Sequence, residues 1–205
     1  MAFERNVFIN CPFDPGYLDM MRPLLFSILA LGYEPRIASE RADGAEVRIE
    51  KIVELIEESR FGIHDLSRLQ ATSVGEYYRL NMPFELGIDY ACRMYKGPPW
   101  DAKRILILED DAHELKKALS DLNASDVEPH NNDPSQVPVL VRNWLAQFMT
   151  GDVIPPSLIW ARFTDFNAAN FLRLTAARWS PAEIEKQPVR ELIVAMRDWL
   201  GALAV

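Results

Sequence analysis

The run Arg104-Ile-Leu-Ile-Leu108 is apolar at four successive positions. As a strand it has no face to offer water, so it belongs inside a sheet covered on both sides, as parallel sheets are by their crossover helices. The first half of the chain supplies such a sheet. Strand-like runs at about 6–10, 34–38 and 60–65 alternate with helical apolar spacing. The first helix begins near Pro15, with Asp14 placed to cap it, carries Leu18, Met21, Leu25, Ile28 and Leu29 inward, and stops at Gly32. The second carries Ile49, Ile52, Val53 and Ile56, and Asp43 with Glu46 has the spacing of a capping box. The third begins at Pro83, and its apolar set is Phe84, Ile88, Ala91, Cys92 and Tyr95. A charged helix at about 111–122 and a short fifth strand at Val127 to His130 follow. The expectation is an α/β, flavodoxin- or Rossmann-like three-layer domain over residues 1–133, with a mostly parallel sheet of four to five strands.

Residues 134–205 read as a helical C-terminal extension packed on that domain, with helices at 139–149, 166–178 and 188–203. Ser180-Pro-Ala-Glu183 is a capping box with proline at the first helical position. Val189, Leu192, Ile193, Met196, Trp199 and Leu200 form a strong stripe, which needs a partner: a sheet face, or a second copy in a homo-oligomer.

Composition removes several classes of function. A net charge of −8 is ill suited to gripping the phosphates of duplex nucleic acid, which takes a clustered basic face. Cys11 and Cys92 are the only cysteines, far apart, and with three histidines they give no metal-ligand spacing, so no metal is expected. No apolar leader or span of membrane length occurs, which makes the cytoplasm the expected compartment and a membrane an unexpected partner. GxxxxGK[ST], GxGxxG and GxSxG are all missing, so no bound nucleotide cofactor is expected.

The candidate chemistry lies in two acids. Asp65 ends a strand, and Glu85 falls in the first turn of the helix opening at Pro83. Open α/β sheets bind ligands at the carboxyl ends of their strands, where both acids are expected to face one hollow. A glutamate in a first turn is favourable on electrostatic grounds alone. Glu85 has no capping partner, however, because Met82 offers no side-chain acceptor, and Asp89 one turn on repels it. Asp65 has two roles open to it, loop capping or chemistry. His64 points to the opposite sheet face and reads as a core residue. Around the acids, Asn10 and Phe13 follow the first strand, Asp43 sits in a turn, Arg48 is placed to reach a phosphate, Ser67 and Arg68 lie on the loop after Asp65, and Asn81 leads into the third helix. Residues 66–80, with two tyrosines and several small polar residues, read as a loop over the strand ends.

Three segments occur in order: Val7-Phe-Ile-Asn-Cys-Pro-Phe13, Gly62-Ile-His-Asp-Leu-Ser67 and Met82-Pro-Phe-Glu-Leu-Gly-Ile-Asp-Tyr-Ala91. Together they resemble the nucleoside 2-deoxyribosyltransferase family and its relatives, the nucleotide N-glycoside hydrolases and the Toll/interleukin-1 receptor (TIR)-like domains. The stretch from Glu85 to Ala91 carries the most specific likeness. The resemblance implies that Glu85 is the carboxylate nucleophile or stabiliser at an anomeric carbon and that Asp65 and Asn10 hold ribose hydroxyls. It further implies that Arg48 or Arg68 meets a phosphate and that the substrate is a nucleotide, a nucleoside or NAD. A defence-type effector fits this group. The alternative it leaves open is a non-catalytic module that binds a nucleotide signal or another protein.

Overall fold

The computed structural model describes residues 2–203 apart from 41–42, 69–70, 72–73, 76–79 and 123–125. In chain order the elements are α1 (Ala2–Arg5), β1 (Asn6–Asn10), α2 (Leu18–Ala30), β2 (Glu34–Ile37), α3 (Arg48–Glu57), β3 (Phe61–Asp65), α4 (Asn81–Tyr95) and β4 (Arg104–Glu109). Then come α5 (Glu114–Ala118), β5 (Val127–Pro129), α6 (Gln136–Leu145), α7 (Pro156–Ala176), α8 (Pro181–Glu185) and α9 (Val189–Leu203). The strands form one parallel sheet in the order β2-β1-β3-β4-β5. This is the flavodoxin-like order, whose direction of winding reverses between β1 and β3 and leaves a crevice at their carboxyl ends.

Strand alternation sorts the side chains into two cores. Val7, Ile9, Phe61, Ile63, Leu106 and Leu108 face α2, α6, α7 and α9. Phe8 faces α3, while Ile107 packs with Met82 and Leu86 of α4 and with Leu115 of α5. The C-terminal helices share the first core: Phe26 of α2 stacks near Phe163, Phe166 and Trp199, and Phe61 of β3 meets Trp144 edge-on. Aromatic pairs of this kind stabilise by about 0.5–1.5 kcal/mol each beyond the area they bury. The stripe on α9 is therefore covered by the chain itself. No helix among the described residues is long and apolar enough to cross a membrane.

Several boundaries differ from the sequence reading. The helix expected from Pro15 opens as a 3₁₀ turn, Pro15–Tyr17, without a side-chain cap from Asp14, which instead pairs with Arg68. α3 starts at Arg48, and Asp43 accepts from the Ala45 N–H within a turn at 2.9 Å rather than capping the helix. The charged helix at 111–122 shrinks to α5 and a 3₁₀ turn, whereas α7 begins ten residues before the expected 166 because Pro156 opens it. The largest correction concerns α4. Its buried face is Met82, Glu85, Leu86 and Asp89, while Phe84 is 61% and Tyr95 88% exposed. Two acids on the inner face mislead any phase assigned from hydrophobicity. Ser180 and Glu183 form the expected capping box. Of the loop expected over 66–80, both tyrosines lie outside the described residues.

Candidate active site

Where the sheet reverses direction, a hollow of about 340 Å³ opens between the end of β1 and the start of α4. It is lined by Asn10, Cys11, Pro12, Phe13, Arg48, Leu80, Asn81, Met82 and Glu85. Five of the expected site residues, Asn10, Phe13, Arg48, Asn81 and Glu85, thus come together here. Phe13 and Arg48 stand at the exposed rim, with the guanidinium 5.9 Å from the ring centroid.

Four acidic residues are buried among the described residues, and three of them have side-chain or backbone partners for their carboxylates. Asp65 is bonded by Tyr17, Ser67 and His130; Asp89 lies against His64 and Lys103; Glu109 accepts from the His113 and Leu115 N–H groups at 2.7 and 2.9 Å, at the start of α5. Glu85, only 6% exposed, has no hydrogen bond to any described residue. Burial pushes its carboxyl up to about 7, against the opposing pull of the Arg48 charge. Its carboxyl oxygens are not sealed inside the protein but open on the hollow, where water or an entering ligand meets them.

Cys11 shares the hollow, but its thiol is pushed well above the usual value by burial and by the charges of Asp65, Glu85 and Asp14. It stays a protonated thiol at neutral pH and is a poor nucleophile.

Asp65 does not face this hollow, which corrects the expectation of a paired-acid site. It is 1% exposed and lies in phase with Phe61 and Ile63, so it points toward α2, while α4 covers the opposite sheet face. Tyr17 donates to one of its oxygens and the Ser67 hydroxyl to the other; the Ser67 N–H donates at 2.9 Å and His130 Nε2 lies 3.0 Å away. Burial alone would raise its pKa, but the bonds from His130, Ser67 and Tyr17 together hold it below the usual carboxylate range. Tyr17 is itself held well above its usual value by burial and by the Asp65 charge. The cluster ties the end of β3 to the Tyr17 turn and to the segment after β5.

Ser67 is likewise buried in that cluster rather than free to bind phosphate. Arg68 is exposed and paired with Asp14, and Asp43 sits in its exposed turn; none of the three lines the hollow. Sequence reasoning missed Tyr17 and His130, which meet at Asp65, and Lys103, which lies against Asp89. Only their chemical type, all three being titratable, hinted at a role.

A larger groove, about 740 Å³, lies between α7 and α9. Its buried polar groups satisfy one another: Asn170 donates to Gln187 at 2.9 Å and accepts from Arg173 at 2.7 Å. The smaller hollow is where hydrogen-bonding capacity is left over. No protein-family model matches the sequence, and no curated protein matches it. The likeness to the deoxyribosyltransferase and TIR-like group therefore rests on the three motif segments themselves.

Proposed function

We propose that this chain cleaves the N-glycosidic bond of a nucleotide, with NAD the favoured substrate, through the carboxylate of Glu85. The observation supporting this reading is a largely buried glutamate whose carboxyl, bonded to no described residue, opens on a hollow at the sheet's reversal point. A carboxyl poised at about 7 is divided between its two forms at neutral pH, and its ionised form is more basic than an ordinary glutamate. Such a carboxylate either stabilises an oxocarbenium-like centre at C1′ or attacks it. In the second case a C–O bond forms as the C–N bond breaks, the departing base takes the bonding pair, and water later hydrolyses the ester.

The loss of Asp65 from the site narrows the substrate. Glu85 is the only carboxyl lining the hollow among the described residues, and the Cys11 thiol is too weak an acid to assist. A purine leaving as an anion needs a proton from a second acid. A pyridinium carries its positive charge already and departs as neutral nicotinamide, so one carboxylate suffices. Arg48 is placed for a phosphate and Phe13 for stacking on a ring. NAD is cytoplasmic, the compartment we assign, and Cys11 and Cys92 are unpaired.

The test is incubation of the purified protein with NAD and, separately, with AMP and deoxyadenosine, followed by chromatography of released base. Nicotinamide release that Glu85→Gln abolishes is the expected result. No release from NAD, or release that survives Glu85→Gln, overturns the assignment. Saturable NAD binding without turnover would place the chain with the non-catalytic nucleotide-binding modules.

A further inference from the structure

Asp89, expected from the sequence only to repel Glu85, lies in a chain of four buried groups that runs from beneath α4 to the hollow. Lys103, fully buried, sends its ammonium to the carbonyls of Ile56, at 2.7 Å, and Ser59, and to Asp89 Oδ1 at 3.1 Å. The two carbonyls accept hydrogen bonds from the ammonium, and Asp89 Oδ1, which accepts none, is held beside it as an ion pair. Asp89 Oδ2 lies 3.0 Å from His64 Nε2, and His64 Nδ1 lies 3.1 Å from Asn10 Nδ2. The Asn10 amide nitrogen is also 2.9 Å from the Met82 carbonyl oxygen.

The orientation of every group follows from hydrogen-bond chemistry. A carbonyl oxygen can only accept, so the Asn10 atom beside Met82 must be the nitrogen. That nitrogen has two protons. One goes to Met82, and the other goes to His64 Nδ1, which must therefore be the accepting nitrogen of the ring. His64 carries its proton on Nε2 and donates it to Asp89, whose negative charge is matched by Lys103. Both Asn10 donors are then committed, and its oxygen is bonded to no described residue. Asn10 is 2% exposed and lines the hollow beside Glu85.

The fold is built around this chain. Asn10 and His64 are register partners across β1 and β3. Gly62, two residues before His64, leaves room for the Asp89 carboxylate; a Cβ there would stand 2.2 Å from Asp89 Oδ2.

We infer that Lys103, Asp89 and His64 are positioning residues that hold the Asn10 amide oxygen toward the hollow as an acceptor, selecting a ligand that presents a hydroxyl there. This rests on the function proposed above only for the ligand's identity: in NAD that donor is a ribose hydroxyl.

The test reads the chain and the ligand separately. In the wild-type protein at pH 7.5, ¹⁵N NMR of His64 is expected to show the neutral ring with its proton on Nε2; a proton on Nδ1 overturns the inference without reference to any substrate. In Asp89→Asn, the Lys103 ammonium draws the new amide's oxygen and turns its NH₂ toward His64 Nε2. The proton is then expected to move to Nδ1, face the Asn10 donors and displace the acceptor from the hollow. The KM for NAD should rise about tenfold, the loss of one hydrogen bond, with kcat changing less. A folded Asp89→Asn protein with the His64 proton and KM unaltered overturns the inference. Should Asp89→Asn not fold, the wild-type tautomer and the protection of the Asn10 NH₂ protons from solvent exchange decide the matter. A protein that shows the expected tautomers but never releases nicotinamide refutes the proposed activity and leaves the positioning chain standing.

Discussion

Replacing Glu85 with glutamine removes a charge that the folded protein accommodates poorly, and the gain should depend on pH in a defined way. The folded carboxyl titrates at about 7, against an ordinary glutamate value of 4.5. Between those values the native state keeps a proton that the unfolded chain has lost. The unfolded state binds fewer protons there, so stability falls as pH rises from about 4.5 to about 7 and is level beyond. At about 1.4 kcal/mol per unit the full difference is about 3 kcal/mol. Water in the hollow relaxes around the charge, which brings the expected figure to about 1–2 kcal/mol. Urea unfolding of both proteins at pH 5 and pH 8.5 measures it. Glu85→Gln should exceed wild type by less than about 0.5 kcal/mol at pH 5, where the folded carboxyl is still protonated and only the unfolded one has ionised, and by about 1–2 kcal/mol at pH 8.5. Parallel stability profiles, or a variant less stable at pH 8.5, would refute the claim that Glu85 is a buried acid without a partner.

Gly62→Ala drives a methyl group into the Asp89 carboxylate and should cost about 3 kcal/mol, the scale of disrupting a buried ion pair; a loss under about 1 kcal/mol by urea unfolding would show that the network yields easily. Tyr17→Phe removes one donor from Asp65 and should cost about 1–3 kcal/mol near neutral pH. Because the Asp65 pKa is held down in the fold, that cost should shrink as pH drops below about 4 and the carboxylate takes a proton. A cost independent of pH would mean that the tyrosine acts by packing alone.

The parallel sheet was readable from residues 104–108 and from the alternation of strand and helix, since burial on both faces admits few alternatives. Glu85 was readable as a candidate from its place near the start of that helix, but the capping argument for it fails: α4 begins at Asn81, two residues before the expected Pro83, and Glu85 lies beyond the first turn. What failed was phase. A hydrophobicity stripe placed Phe84 and Tyr95 inward, yet α4 turns Asp89 inward, and Glu85 one turn before it, because Lys103 and His64, distant in sequence, supply Asp89 with partners that no local pattern displays. Asp65 failed for a related reason. The alternation that set His64 apart from Asp65 also places them on opposite sheet faces, and only the docking of α4 shows that the Glu85 helix lies on the histidine's side. The Asp65 cluster joins residues 17, 65, 67 and 130, whose convergence depends on chain folding over long separations.

Glu85 and Asp89 stand one turn apart on a single rigid rod, the upper acid open to visitors and the lower one anchored to a lysine below. An occupant pressing on the upper acid therefore pushes against that anchorage, and the helix has little freedom to slide or roll in response. A ligand entering such a mouth would meet a wall of fixed layout, and selectivity would reside in that layout.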